Sequence, residues 1–194
     1  MEQLISHGCA CGHQVEKPTQ ILSDEHRVIE RVLGAVEKLA QGPVEALEPW
    51  KKALEFLRGF ADQCHHFKEE KVLFPAMEAH GIPIEDGPIG MMLMEHEEGR
   101  SYVRSMLAAI SLVEAKNEAA KESLLSSAQA YCRLLREHIQ KEDEILFRMA
   151  DEVISADEQK KVAAAFAQHE AEEMGAGAHD KYLRIAAELE GATA

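Results

Sequence analysis

Aromatic side chains make up only 5% of this 194-residue chain, which also holds just six prolines and twelve glycines. Sheet proteins draw on aromatic residues and punctuate their strands with Gly and Pro turns, so this scarcity disfavours a β architecture. Cysteine is sparse as well. Cys9, Cys11, Cys64 and Cys132 are too few and too scattered for the disulfide framework of a small secreted domain, and reduced thiols are expected. Charges interrupt each apolar stretch well before it reaches bilayer length, and the first residues lack the basic-then-apolar order of a signal peptide. Positive charge is in deficit. A formal net charge of −14 argues against binding nucleic acid or an anionic membrane through bulk electrostatics. Small neutral ligands and metal cations fit better, and a cytoplasmic location is expected.

The abundant residues are Ala, Leu, Glu and Lys, all good helix formers. The expected fold class is all-α: an up-down four-helix bundle with two shorter C-terminal helices. Residues 1–17 read as a flexible tail containing His and Cys, 18–153 as the bundle, and 154–194 as a helical extension packed on it. The first helix follows Pro18, carries Ile29, Val32, Leu33 and Val36 at helical spacing, and stops at Gln41-Gly42-Pro43. The second starts near Leu47 and has Pro75 near its end. The third covers about 89–113 and the fourth about 118–153. Two shorter patterns, about 157–174 and 179–189, are separated by Gly175 and Gly177.

Comparing the chain with itself is the most informative step. His65-His66-Phe67-Lys68-Glu69-Glu70-Lys71-Val72-Leu73-Phe74 aligns without a gap on His138-Ile139-Gln140-Lys141-Glu142-Asp143-Glu144-Ile145-Leu146-Phe147. Upstream, Asp24-Glu25-His26 pairs with Met94-Glu95-His96. The unit is a helix with one His, followed by a helix with His-x-x-x-Glu, and it occurs twice. Residues four apart share a helix face about 6 Å apart along the axis, so each pair is a two-ligand platform. An antiparallel bundle can therefore aim His26, His65, His96 and His138 inward at one level, with Glu69 and Glu142 beside them. Such a set suits two metals bridged by the carboxylates, with iron preferred, manganese or zinc compatible, and no reason to favour copper. One copy alone would read as an ordinary helical ion pair. Two copies facing a core without metal would leave two carboxylates and four imidazoles desolvated, which is costly.

These motifs resemble the hemerythrin family, specifically the bacterial hemerythrin-like (HHE) cation-binding domains, across residues 20–150. The stretch from Phe60 to Pro75 is similar to the family's second-helix signature, and Met94-Glu95-His96-Glu97 to its third. The resemblance implies two non-haem iron ions, oxo- or hydroxo-bridged, that bind oxygen, nitric oxide or peroxide. His26, His65, His96 and His138 would be terminal ligands, and Glu69 and Glu142 bridges. One departure stands out: oxygen carriers of the family place a second histidine one turn on in the third helix, where this chain has Arg100. That shifts the expectation from simple oxygen carriage toward sensing, detoxification or repair. The competing use is a peroxide-detoxifying di-iron enzyme or an iron donor for iron–sulfur cluster repair. No residue presents itself as a separate general base, and nothing points to a particular protein partner.

Several residues compete for the site. His66 and Glu70 form a second His-x-x-x-Glu, but the gapless repeat selects 65/69. His66 is expected beside the site, orienting a ligand, with the question of an added ligand left open. Arg100 either points inward as an electrostatic group or pairs at the surface with Glu97 or a neighbour. His169, Glu170, Glu173 and His179 either supply a further ligand or form a polar, solvated join between two helices. Met91, Met92 and Met94 are expected in the core, and His80 at a helix end. Cys64 and Cys132 read as small core residues. The cluster His7, Cys9, Cys11 and His13 reads as a soft-metal trap or as a redox-sensitive tail.

Overall fold

Pro18 occupies the first turn of α1 (Pro18–Leu39), where its missing backbone N–H would have had no helical partner and its fixed φ already suits the helix. The computed structural model describes residues 16–42, 44, 46–175 and 177–193, and the His7-Cys9-Cys11-His13 cluster lies outside them. Helix α2 runs without a break over residues 47–79 but changes winding on the way. Leu47–Phe56 and Phe74–Ala79 are α-helical, whereas Leu57–His66 and Glu69–Leu73 are π-helical. Helix α3 (Pro88–Glu114) again opens on a proline. Helix α4 spans 119–153 and contains the π turn Glu142–Leu146. Helix α5 covers 156–174, ending in the π turn Glu170–Met174, and α6 is Ala178–Ala192. Gly175 and Gly177 join them with φ of 84° and 80°, a left-handed backbone that glycine adopts without strain.

No strand occurs among the described residues, and the fold is all-α. Helix α1 packs against α2 and α4, and α3 packs against α2 and α4, so the four long helices close an up-down bundle in chain order. The two shorter helices lie along one flank: α5 on α1 and the second π turn of α2, α6 on α1 and the first half of α2. No helix among the described residues is long and apolar enough to cross a membrane.

Two apolar clusters fill the interior. One is built around Trp50, Phe56, Phe60, Met106 and Leu124 and takes in Tyr182 and Leu189 of α6. The other gathers Leu22, Phe74, Met77, Phe147 and Phe166. Between them lies a buried polar layer. The methionine expectation needs correction: Met92 is buried, but Met91 and Met94 are 50% and 70% exposed. Met92 sits one turn before the inward-facing His96, whereas the 100° step of the helix carries Met91 and Met94 to the opposite side.

Candidate metal centre

The polar layer contains His26 from α1, His65 and Glu69 from α2, His96 from α3, and His138 and Glu142 from α4, none more than 1% exposed. All six residues singled out by the repeat thus meet at one level. Their donor atoms fall into two groups, each mutually within 4.8 Å: His26, His65, Glu69 and Glu142 in one, and His66, Glu69, His96 and His138 in the other. Glu69 faces both, with Oε1 3.4 Å from His65 Nε2 and Oε2 3.5 Å from His96 Nε2. Glu142 Oε2 is 3.2 Å from Nε2 of both His26 and His138. The Nε2 atoms of His96 and His138 are 3.0 Å apart. Two donors bound at about 2.1 Å to one ion at 90–109° stand about 3.0–3.4 Å from each other, the spacing seen here.

Beyond the His96–His138 pair, proximity has not produced hydrogen bonds among these donor atoms. Both oxygens of Glu69, both of Glu142, and Nε2 of His26 are buried without a hydrogen-bonded partner. Natively buried polar atoms are almost always paired, and buried carboxylates without a counter-charge are strongly disfavoured. Cations between the two groups would satisfy all five atoms, so the donor set fits the metal that its chemistry calls for.

Burial and mutual proximity shift the titration of these groups in opposite directions. Burial and the neighbouring Glu142 push the Glu69 carboxyl well above its usual range. Burial would raise Glu142 too, but His138 and His26 outweigh it and hold that carboxyl low. Burial opposes protonation of His138, yet Glu142 and Glu95 raise its pKa to about 9. His65 is driven well down by burial and by His26. A cation at these donors would meet neutral imidazole at His65 and compete with protons at His138 and Glu69, whose proton affinity is raised.

Residues 17–150 match the hemerythrin HHE cation-binding domain. The chain belongs to that family. Uncharacterized proteins of Mycobacterium bovis and Mycobacterium tuberculosis are 26% identical to it over 176 residues, spanning 87% of this chain and 67% of theirs.

Around the donors, this hemerythrin HHE domain builds a ring of carboxylates. Glu25 on α1 accepts from His65 Nδ1 on α2 at 2.9 Å, and Glu70 on α2 accepts from His96 Nδ1 on α3 at 2.8 Å. Glu95 on α3 accepts from His138 Nδ1 on α4 at 2.9 Å, and Asp143 on α4 accepts from His26 Nδ1 on α1 at 2.9 Å. Each helix thus orients the histidine of the next, all the way round. A carboxylate partner fixes the proton on Nδ1 and leaves Nε2 free to face the centre. Lys68 and Lys141 neutralise Glu25 and Glu95 in the same relation. Of these six only Glu70 was singled out from sequence, as half of the competing His66/Glu70 pair, although the signal for the ring was present. Glu25 and Glu95, Glu70 and Asp143, and Lys68 and Lys141 occupy matching repeat positions beside the donors.

Arg100 does not enter the donor set. Its Nε donates to Asp62 at 2.8 Å and its Nη2 to Glu70 at 2.7 Å, with Glu97 more distant at 3.7 Å. With His96 and Arg100 both bonded to it, Glu70 overcomes burial and titrates down to about 2.

The C-terminal residues are less solvated than their composition implies. His169 is buried, stacked on Phe67 with centroids 3.6 Å apart, and its Nε2 donates to the Gln63 carbonyl at 2.9 Å. Glu170 accepts from the buried Lys68, which also bonds Glu25. Glu25, Glu170 and His179 bring donor atoms together, but the Lys68 ammonium between the two carboxylates already supplies the positive charge there. Glu173 is exposed. His80 caps its helix and pairs with Glu158. Burial pushes the Cys64 and Cys132 thiols up to about 12, as suits small core residues rather than nucleophiles.

Proposed function

We propose that this HHE domain is a non-haem di-iron protein that binds or senses oxygen, nitric oxide or peroxide. The observation that carries the reading is the unpaired state of the four Glu69 and Glu142 oxygens, buried between two groups of imidazoles. His26 and His65 would hold one ion and His96 and His138 the other, with Glu69 and Glu142 bridging. Two adjacent irons, when bound, would supply redox electrons and open positions for a small exogenous ligand. The chain's own residues do the rest. The carboxylate ring holds a proton on each Nδ1 and fixes each ring with Nε2 toward the centre, while the two apolar clusters exclude bulk water.

Anaerobic loading with Fe(II), followed by metal analysis and optical spectra with azide, nitric oxide and peroxide, tests the proposal. About two irons per chain and new ligand-dependent bands are expected for a set of four imidazoles and two carboxylates. Uptake below about one iron per chain would defeat it. Sustained consumption of peroxide would assign the centre to an enzyme rather than a sensor.

A further inference from the structure

The repeat leaves one position unmatched. His66 stands opposite Ile139, which is buried among apolar side chains. His66 is itself only 4% exposed and lies in the polar layer, its ring 3.9 Å from that of His96 and 5.9 Å from that of His138. A ring nitrogen of His66 comes within 4.8 Å of donor atoms on Glu69, His96 and His138. Its Nδ1 faces Asp62 Oδ1 at 3.6 Å and is buried without a hydrogen-bonded partner. Asp62 is held in place by Arg100. His66 therefore repeats the polarity of the other four histidines, with Nδ1 turned to a carboxylate and the opposite edge of the ring left for the centre.

Adjacent residues on an α-helix point 100° apart and do not normally serve one centre. His65 and His66 close the π-helical run Leu57–His66, whose wider turn advances each residue by less. The matching stretch before His138 is α-helical and carries no second histidine. The widened turn and the extra imidazole thus occur together, in one half only.

We propose that His66 is a fifth imidazole donor, directed at the ion of His96, His138 and Glu69, which makes the centre asymmetric with two imidazoles on one ion and three on the other. This rests on the two-metal reading above. A cavity of about 130 Å³ lined by His66, Asp62, Gly99, Arg100 and Tyr131 reaches the ring from outside, and gives an added imidazole a way in once the side chain is removed.

His66→Gly, loaded anaerobically with Fe(II), should bind its second iron at least about tenfold more weakly than wild type; loss of an orienting contact alone can cost about 10–100-fold, so rescue by imidazole and coupling to the label identify a lost ligand. Added imidazole should restore that affinity, and isotope-labelled imidazole should show hyperfine coupling to the mixed-valent centre. Circular dichroism reports whether the variant keeps its helices. If it does not fold, wild-type protein loaded with Co(II) decides: five solvent-exchangeable, hyperfine-shifted imidazole N–H resonances are expected, one each from His26, His65, His66, His96 and His138. Four such resonances, or a variant holding both irons with wild-type affinity and no coupling to the label, would overturn the proposal and leave His66 as a stacking wall. Wild type that takes up fewer than about one iron per chain would instead overturn the two-metal reading, and this proposal with it.

Discussion

Glu69 is the side chain on which stability and metal binding make opposite demands. It is fully buried, its carboxyl is raised by burial and by Glu142, and neither oxygen is hydrogen-bonded. Glu69→Gln keeps the volume and cannot ionise, so it matches the neutral carboxyl that burial favours and spares the metal-free chain a buried charge without a partner. The metal-free variant should therefore unfold within about 1 kcal/mol of wild type or later, while its iron content falls to one ion per chain or less. Denaturant unfolding of the metal-free proteins, alongside iron analysis, checks both halves. A variant destabilised by several kcal/mol that still binds two irons would contradict them. The six donors proposed from sequence were legible because the spacing His-x-x-x-Glu is periodic and occurs twice. The ring of Glu25, Glu70, Glu95 and Asp143 was not read, because acids next to a motif look like ordinary solvated helix residues until partner helices are placed. His66 was obscured for a related reason: helical geometry at 100° per residue turns it away from His65, and the local π winding, which narrows that step, leaves no mark in the sequence.

At the scale of helices, the long segments and their order were legible because proline and glycine mark the ends of strongly periodic stretches. The π turns were not, since hydrophobic spacing reports one averaged period and hides a local change in winding. They begin at corresponding positions, Glu69 and Glu142, so Pro75 is not their cause, the second copy having Arg148 at the matching position. The first π run also carries Gly59, on which α6 rests: a Cβ there would lie 1.8 Å from the Tyr182 hydroxyl oxygen and 2.4 Å from its ring carbon. Tyr182 is wedged against Phe56 and Phe60 and has little room to yield. Gly59→Ala should accordingly cost about 1–3 kcal/mol by overpacking, with the denaturant slope unchanged. A second link joins α1, α2 and α5 through Lys68, fully buried between Glu25 and Glu170. Lys68→Met leaves Glu25 buried without its counter-charge, and a loss of about 3–5 kcal/mol is expected. Adding Glu25→Gln to Lys68→Met should recover part of that loss in a double-mutant cycle, whereas strict additivity would show that the pair is not coupled.

Across the whole molecule, the two halves are equal in their bridging residues and unequal in their surroundings. The extension formed by α5 and α6 covers the α1–α2 flank, and Glu170 seals Lys68 there. On the other side the matching Lys141 pairs with Glu95 at a partly solvated edge. Composition could not foretell which flank the last helices would cover, because that depends on the apolar faces of both partners at once. What binds the whole together is the exchange of protons for metal at the central layer. With a folded-state pKa raised to about 9, His138 contributes stability to the metal-free chain that is complete below its unfolded value near 6.5 and is lost as pH rises through about 9. Metal binding runs the other way, since the ion requires His138 and Glu69 deprotonated and competes better as pH rises. The stability gained on loading should therefore grow between about pH 6.5 and pH 9, by up to about 1.4 kcal/mol per pH unit for each proton displaced. Thermal unfolding of loaded and chelator-stripped protein across that range, at fixed free metal, measures the difference. An increment that stays flat with pH would mean that the ion displaces no proton from His138, and that this histidine does not face the metal.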